Sequence, residues 1–282
     1  DIIVSMEGFN QNMNEYITET FSPNEIFHNG NAWSFDYKEI QIDFITCDAE
    51  HFNTNYHYMA FNDLGNLTGR LAQKLGLKYG QEGLWYNHYY NGQNAGRILI
   101  SKDYPKIFEF LGLDYDTWVK GFYTLEEIFK YVTTSKFFNP EDYQWEKLNK
   151  INRERNMKRT SYVAFLDYVK DMGVNENYDV EINTYMKENI IHVVDVRFPE
   201  AKIFGQIAEL EAAIDKKKAS KDKFNGGMII ELFGIQGKEL GDAMYRFKDF
   251  VKDSTRHETY DDYILENDYN MIVEHFKMVN EL

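Results

Sequence analysis

Asp1-Ile2-Ile3-Val4 and Glu39-Ile40-Gln41-Ile42-Asp43-Phe44-Ile45 decide the reading of this chain. Both are apolar, β-branched runs that carry a carboxylate. In the second, Ile40, Ile42 and Phe44 alternate with Gln41, Asp43 and Ile45, the period-two signature of a pleated strand. Residues two apart share a face of a strand, so Asp43 stands on the face opposite Ile42. A strand carboxylate beside a second strand's carboxylate can hold a hard divalent cation, because Mg²⁺ takes oxygen ligands and keeps waters or phosphates in its shell. Taken alone, Asp43 reads first as a single exposed carboxylate on a half-buried strand.

After the first strand, Ser5 to Gly8 leaves the sheet. Phe9, Met13, Tyr16, Ile17 and Phe21 then recur at helical spacing, and Ser22-Pro23-Asn24 stops that helix. Ile26-Phe27-His28 and Trp33 to Tyr37 read as strands around the turn Asn29-Gly30-Asn31, and Tyr37-Lys38 turns into the Asp43 strand. The order strand, helix, strands predicts an α/β unit with a mixed sheet. His51, His57 and His88 lack the His-x-x-x-His spacing of a zinc helix and read as aromatic-packed or surface residues.

From Asp63, Leu64, Leu67, Leu71 and Leu75 form one helix face that Gly76 closes. Asn66 and Arg70, four apart, occupy a neighbouring face, either solvated or aimed at a ligand. Leu77 to Tyr86 predicts a small hairpin, and Arg97 to Ile100 another strand. Ser101 is the expected N-cap of a helix running to Gly112.

In this order the pieces resemble the catalytic core of the DNA polymerase β superfamily of nucleotidyltransferases, in its family X form. That family carries a Gly-Ser turn, an Asp-x-Asp strand, a third Asp on a later strand, and a small thumb. The thumb resembles Asn66 to Trp85, and the Leu-Gly-Leu end of its closing helix resembles Leu111 to Leu113. The resemblance covers roughly the first 115 residues. It implies that Asp1 is the second Asp of the paired motif and Asp43 the third, both catalytic metal ligands, and that Asn66 and Arg70 face the incoming nucleotide or the template strand. The Gly-Ser turn and first Asp are then expected ahead of residue 1, without which the chain is expected to be inactive.

Beyond residue 116 the pattern is helical. Thr124 to Val132 opens with a capping box, Thr124 to Glu127. A second helix is expected from Pro140 to Asn156. Around it lies the densest basic cluster, from which Lys147, Lys150, Arg153, Lys158 and Arg159 are the candidate nucleic-acid contacts, since phosphates need cations rather than a sequence code. A solvated helix face fits the same residues. Tyr162, Phe165, Leu166 and Val169 are expected core positions. Ile190 to Val194 is β-branched and reads as extended. Ala201 to Ile214 predicts an amphipathic helix that runs into a solvated loop, Asp215 to Lys223, whose five lysines are a second candidate for nucleic-acid backbone. Phe224 to Gly241 predicts a short helix, a glycine turn and a second helix. It is similar to a late helical segment of tRNA nucleotidyltransferases and bacterial poly(A) polymerases.

Composition bounds the rest. The 282 residues include 21 Tyr and 21 Phe, ample for a core, and no apolar run approaches the ~18 residues of a membrane span. Cys47 is the only cysteine, so there is no disulfide framework and no cysteine zinc site, and a reducing, cytoplasmic setting is expected. A net charge of −15 excludes nucleic-acid binding by the whole surface but not by a local basic groove.

The expected architecture is α+β: a nucleotidyltransferase palm over 1–60 lacking its N-terminal part, a thumb-like subdomain over 61–115, and a mostly helical domain over 116–282. The expected activity is Mg²⁺-dependent transfer of a nucleoside monophosphate from a nucleoside triphosphate to a nucleic-acid 3′-hydroxyl, with RNA or tRNA the favoured acceptor. A family X-like DNA polymerase and a non-catalytic nucleic-acid-binding relative are the alternatives. No membrane partner is expected.

Overall fold

Strand alternation and helix caps lay out the first third of the chain. The computed structural model describes residues 1–174 and 178–282. β1 (Ile2–Ser5), α1 (Met13–Phe21), β2 (Ile26–Asn29), β3 (Ala32–Tyr37) and β4 (Ile40–Cys47) follow in order, and the sheet is arranged β1-β4-β3-β2. β1 runs parallel to β4 while β3 is antiparallel to both of its neighbours, so the sheet is mixed. Phe35 and Phe44 form a core with Met13 and Ile17 of α1. The helix expected from Phe9 begins at Met13 because Asn12 takes the cap, its side chain accepting from the amides of Asn14 and Glu15.

α2 (Ala49–Met59), a helix that the sequence pattern does not predict, lies against β1 and β4. Its buried residues are Thr54 and Asn55, each bonded to the His51 carbonyl, so the sequence shows no apolar stripe. α3 (Leu64–Lys74) buries Leu64, Leu67 and Leu71 as expected, and Gly76 closes it at φ +82°. β5 (Leu77–Gly80), β6 (Gly83–Tyr90) and β7 (Gln93–Ser101) form a second sheet in that order. Ser101 ends β7 and does not cap the next helix. α4 (Tyr104–Phe110) is capped by Asp103, whose carboxylate accepts from the Lys106 amide.

α5 (Tyr115–Lys120) and α6 (Leu125–Thr133) come next, the latter with the Thr124–Glu127 capping box. His57 is aromatic-packed, its ring stacked on Tyr104 and Trp118. The single helix expected over 140–156 is broken into 3₁₀ turns at Pro140–Tyr143 and Trp145–Lys147, then α7 (Lys150–Asn156) capped by Asn149. Tertiary anchoring breaks it. Tyr143 is fully buried with its hydroxyl donating to the Leu67 carbonyl at 3.1 Å, and Leu148 is buried beyond it.

α8 (Thr160–Val169), α9 (Val180–Glu188) and α10 (Ile190–Arg197) complete this part. The β-branched run at 190–194 is therefore helical, not extended. Burial of Ile190, Val194 and Phe198 at four-residue steps overrides strand propensity. α11 (Ile203–Lys223) runs straight through the lysines expected in a loop, held by the ties of Lys216 to Asp262 and of Lys223 to the Leu265 and Asn267 carbonyls. α12 (Gly226–Phe233) and α13 (Gly237–Ser254) match the expected helix, glycine turn and helix, with Gly234 left-handed. α14 (Tyr260–Glu266) and α15 (Tyr269–Asn280) close the chain around Phe224, Phe247, Tyr263 and Phe276.

The chain divides into two compact units, one of residues 1–88 with 97–204, the other of 89–96 with 205–282. The lines expected after residues 60 and 115 both fall inside the first. Among the described residues no helix is long and apolar enough to cross a membrane.

Candidate functional site

Within the first unit, the parallel ladder pairs Ile2 with Phe44 and Ile3 with Ile45. Asp1 immediately precedes Ile2 and Asp43 immediately precedes Phe44, so the two carboxylates stand just before the first pair of this ladder. Phe44 packs on the α1 side, so Asp43 belongs to the opposite face, with Ile45. Asp43 is partly exposed and accepts from Gln41 Nε2 at 2.9 Å, and Asp1 is exposed. Two carboxylates on neighbouring strands suit an oxygen-seeking divalent cation that completes its shell with water or phosphate. Among the described residues no three His, Cys, Asp or Glu side chains gather in a group able to hold a metal ion.

A second feature of the same unit was only half legible. Asn66, Gly69, Arg70 and Gln73 stand at steps of three and four along α3, opposite its leucine stripe, and line a cleft of about 290 Å³. Asn152, Arg155 and Asn156 line it from α7, again at helical spacing, and Lys78 and Asn87 from the second sheet. Arg155 Nη2 donates to Asn66 Oδ1 at 2.8 Å, and Asn66 Nδ2 donates to Asn156 Oδ1 at 3.1 Å. Asn156 is 1% exposed, so this amide chain is anchored at its inner end. The Arg70 guanidinium is held by Gln73 Oε1 and the Asp142 carbonyl, and its buried Nε has no partner. No carboxylate lines the cleft among the described residues, although the whole chain carries −15. Guanidiniums and amides without opposing acids suit an anion carrying a hydrogen-bonding polar ring.

The expected basic strip is divided by the broken helix. Lys147 lies in a 3₁₀ turn, Lys150 and Arg153 on α7, and Lys158 in the turn that follows, all exposed. Lys150 Nζ is 4.0 Å from the Glu154 carboxylate. Arg159 is committed elsewhere, to the Asp63 carboxylate, which Ser161 Oγ also reaches. Asp63 is 4% exposed, so these two donors compensate a buried charge. Arg155, outside the expected strip, joins Asn66. Its signal was the spacing Asn152, Arg155, Asn156, visible as one face only once the helix start at Lys150 is known.

Comparison with known proteins adds no relative: no family model matches the chain, nor does any curated protein or solved structure.

Proposed function

We propose that the chain carries the palm of a metal-dependent nucleotidyltransferase that adds a nucleoside monophosphate to a nucleic-acid 3′ end, RNA being the favoured acceptor. The observation that carries this reading is the parallel register of β1 and β4, whose first pair, Ile2 with Phe44, directly follows the two carboxylates that the sequence resemblance singles out. The amide–guanidinium cleft supports it independently, because Asn66 and Arg70 line it together.

In this reading Asp1 and Asp43 would hold Mg²⁺. The chemistry that two bound Mg²⁺ ions supply is activation of the 3′-hydroxyl and charge stabilisation on the departing pyrophosphate. Asp43 also accepts the proton of the attacking hydroxyl. Asn66, fixed by Asn156 and Arg155, hydrogen-bonds the nucleotide, and Arg70 neutralises phosphate.

The test uses the protein with any residues its gene encodes ahead of Asp1. It is incubated with Mg²⁺, each labelled nucleoside triphosphate in turn, and either single-stranded RNA or gapped DNA. Incorporation on RNA that Asp43→Ala abolishes is the expected outcome. Incorporation on gapped DNA alone favours the polymerase alternative, and nucleic-acid binding without incorporation the non-catalytic one. Incorporation unchanged by Asp43→Ala overturns the assignment.

A further inference from the structure

The lysine run at the end of α11 belongs to a built groove in the second unit. Stepping by three and four, Leu210, Ile214, Lys217, Lys218 and Lys221 share one face of the helix, apolar first and basic after. Across from them stands the tip of the β6–β7 hairpin, with Asn91, Gln93 and Asn94. The groove between is about 750 Å³ and has one carboxylate in its lining, Asp222.

Two contacts seat the hairpin on the helix. Tyr90 Oη donates to Asp215 Oδ2 at 3.1 Å. Gly96, at φ +149°, lies so close that a Cβ there would sit 2.8 Å from Leu210 Cδ2. The other two lysines of the run are committed within the fold. Lys216 pairs with Asp262 at 2.5 Å, and Lys223 donates to the carbonyls of Leu265 and Asn267 at 3.0 and 2.6 Å. Lys217, Lys218 and Lys221 are exposed and have no ion pair among the described residues.

We propose that this groove binds the phosphate backbone of a single-stranded nucleic acid. Three unpaired ammonium groups held together on a chain of −15 make a local anion site on an otherwise repelling surface. The hairpin amides Asn91, Gln93 and Asn94 offer donors and acceptors, which an unpaired base edge uses and an acidic peptide does not need. A concave groove also favours a strand over a flat bilayer. The proposal rests on the nucleotidyl-transfer reading for the class of its ligand, and it selects this basic stretch over the divided one around α7.

Fluorescence anisotropy tests it, using labelled single-stranded RNA and DNA oligonucleotides without Mg²⁺ or nucleoside triphosphate. Each neutralised lysine removes about 0.7 from the slope of log affinity against log salt for a single strand. The triple variant Lys217→Gln, Lys218→Gln, Lys221→Gln should therefore lose about 2 from that slope and bind about tenfold or more weakly. Lys221→Gln alone should lose about 0.7. Lys147→Gln with Lys150→Gln and Arg153→Gln should leave affinity within about twofold. The RNA and DNA arms identify which strand the groove takes, lysine dependence in either supporting the proposal. Wild-type affinity and slope in the triple variant overturn it, as does labelled polyglutamate binding as tightly as both oligonucleotides. Because no catalysis is involved, lysine-dependent binding without incorporation removes the enzymatic reading and leaves the groove standing.

Discussion

Gly65 tests how α3 is held, and through α3 the cleft. In a helix interior, Gly→Ala ordinarily stabilises by about 1 kcal/mol through backbone entropy and helix propensity. At Gly65 a Cβ would lie 2.0 Å from the Tyr58 carbonyl oxygen, where side chains essentially never come closer than 3.0 Å. The obstacle is backbone at the end of α2, so α2 or α3 must move by about 1 Å rather than a side chain turning away. Overpacking of this kind costs up to about 3 kcal/mol, leaving Gly65→Ala destabilised by about 2 kcal/mol net. At roughly 2–4 °C per kcal/mol for a unit of this size, its melting transition falls by about 4–8 °C. Gly69, one turn along the same helix, is the internal control. A Cβ there is 3.7 Å from the Tyr79 carbonyl oxygen, ordinary contact, so Gly69→Ala should gain most of the propensity term and melt about 2–4 °C higher. Circular dichroism melting of both variants reads the difference. Nucleotide titration reads its consequence for Asn66, the neighbour of Gly65. Both glycines raising the melting temperature alike would refute the close α2–α3 contact.

Arg155→Ala removes a charge-assisted hydrogen bond to Asn66 worth about 1.5–3 kcal/mol and should weaken nucleotide binding by about 10- to 100-fold in calorimetric titration. Lys158→Ala, exposed and outside the cleft, serves as the control that should not. Ser161→Ala leaves the buried Asp63 carboxylate with Arg159 alone and should cost about 1–3 kcal/mol in urea unfolding, with Asp63→Asn in the same background recovering part of it. Burial holds the His57 imidazole below the ordinary histidine value, partly opposed by its bond to the Asn53 carbonyl. The folded state then binds fewer protons than the unfolded one just below pH ~6.5, so this contribution is complete above that pH and is lost as pH falls toward the depressed value. Urea midpoints at pH ~7.5 and ~5.5 should drop on acidification, and His57→Phe, keeping the stack on Tyr104 and Trp118, should flatten the drop. An equal drop in that variant assigns the pH dependence elsewhere.

Local pattern was enough where one element decides its own outcome. The alternation of Ile40 to Ile45 placed Asp43 on the face away from α1. The leucine spacing of α3 put Asn66 and Arg70 on its polar side, and Thr124 with Glu127 marked the start of α6. These are period and cap effects, carried by neighbours within a turn or two of chain. What failed was set by partners far away in sequence. The run from Ile190 to Val194 has strand propensity but is helical because only Ile190 and Val194 are deeply buried. The segment from Pro140 is broken by Tyr143 reaching the Leu67 carbonyl across 76 residues. The lysines at 216–223 stay helical where a charge run suggested a loop. Lys216 and Lys223 are tied to the α14 segment from Asp262 to Asn267, a contact with no local trace. The cleft shows both sides at once. Its α3 wall was written in the leucine spacing, whereas Arg155 and Asn156 reach it only because packing ends the 3₁₀ turns and starts a new helix at Lys150. The carboxylates divide the same way: strand periodicity gave Asp43 its face, and only the tertiary structure showed that the strand following Asp1 runs parallel to β4, with Ile2 paired to Phe44.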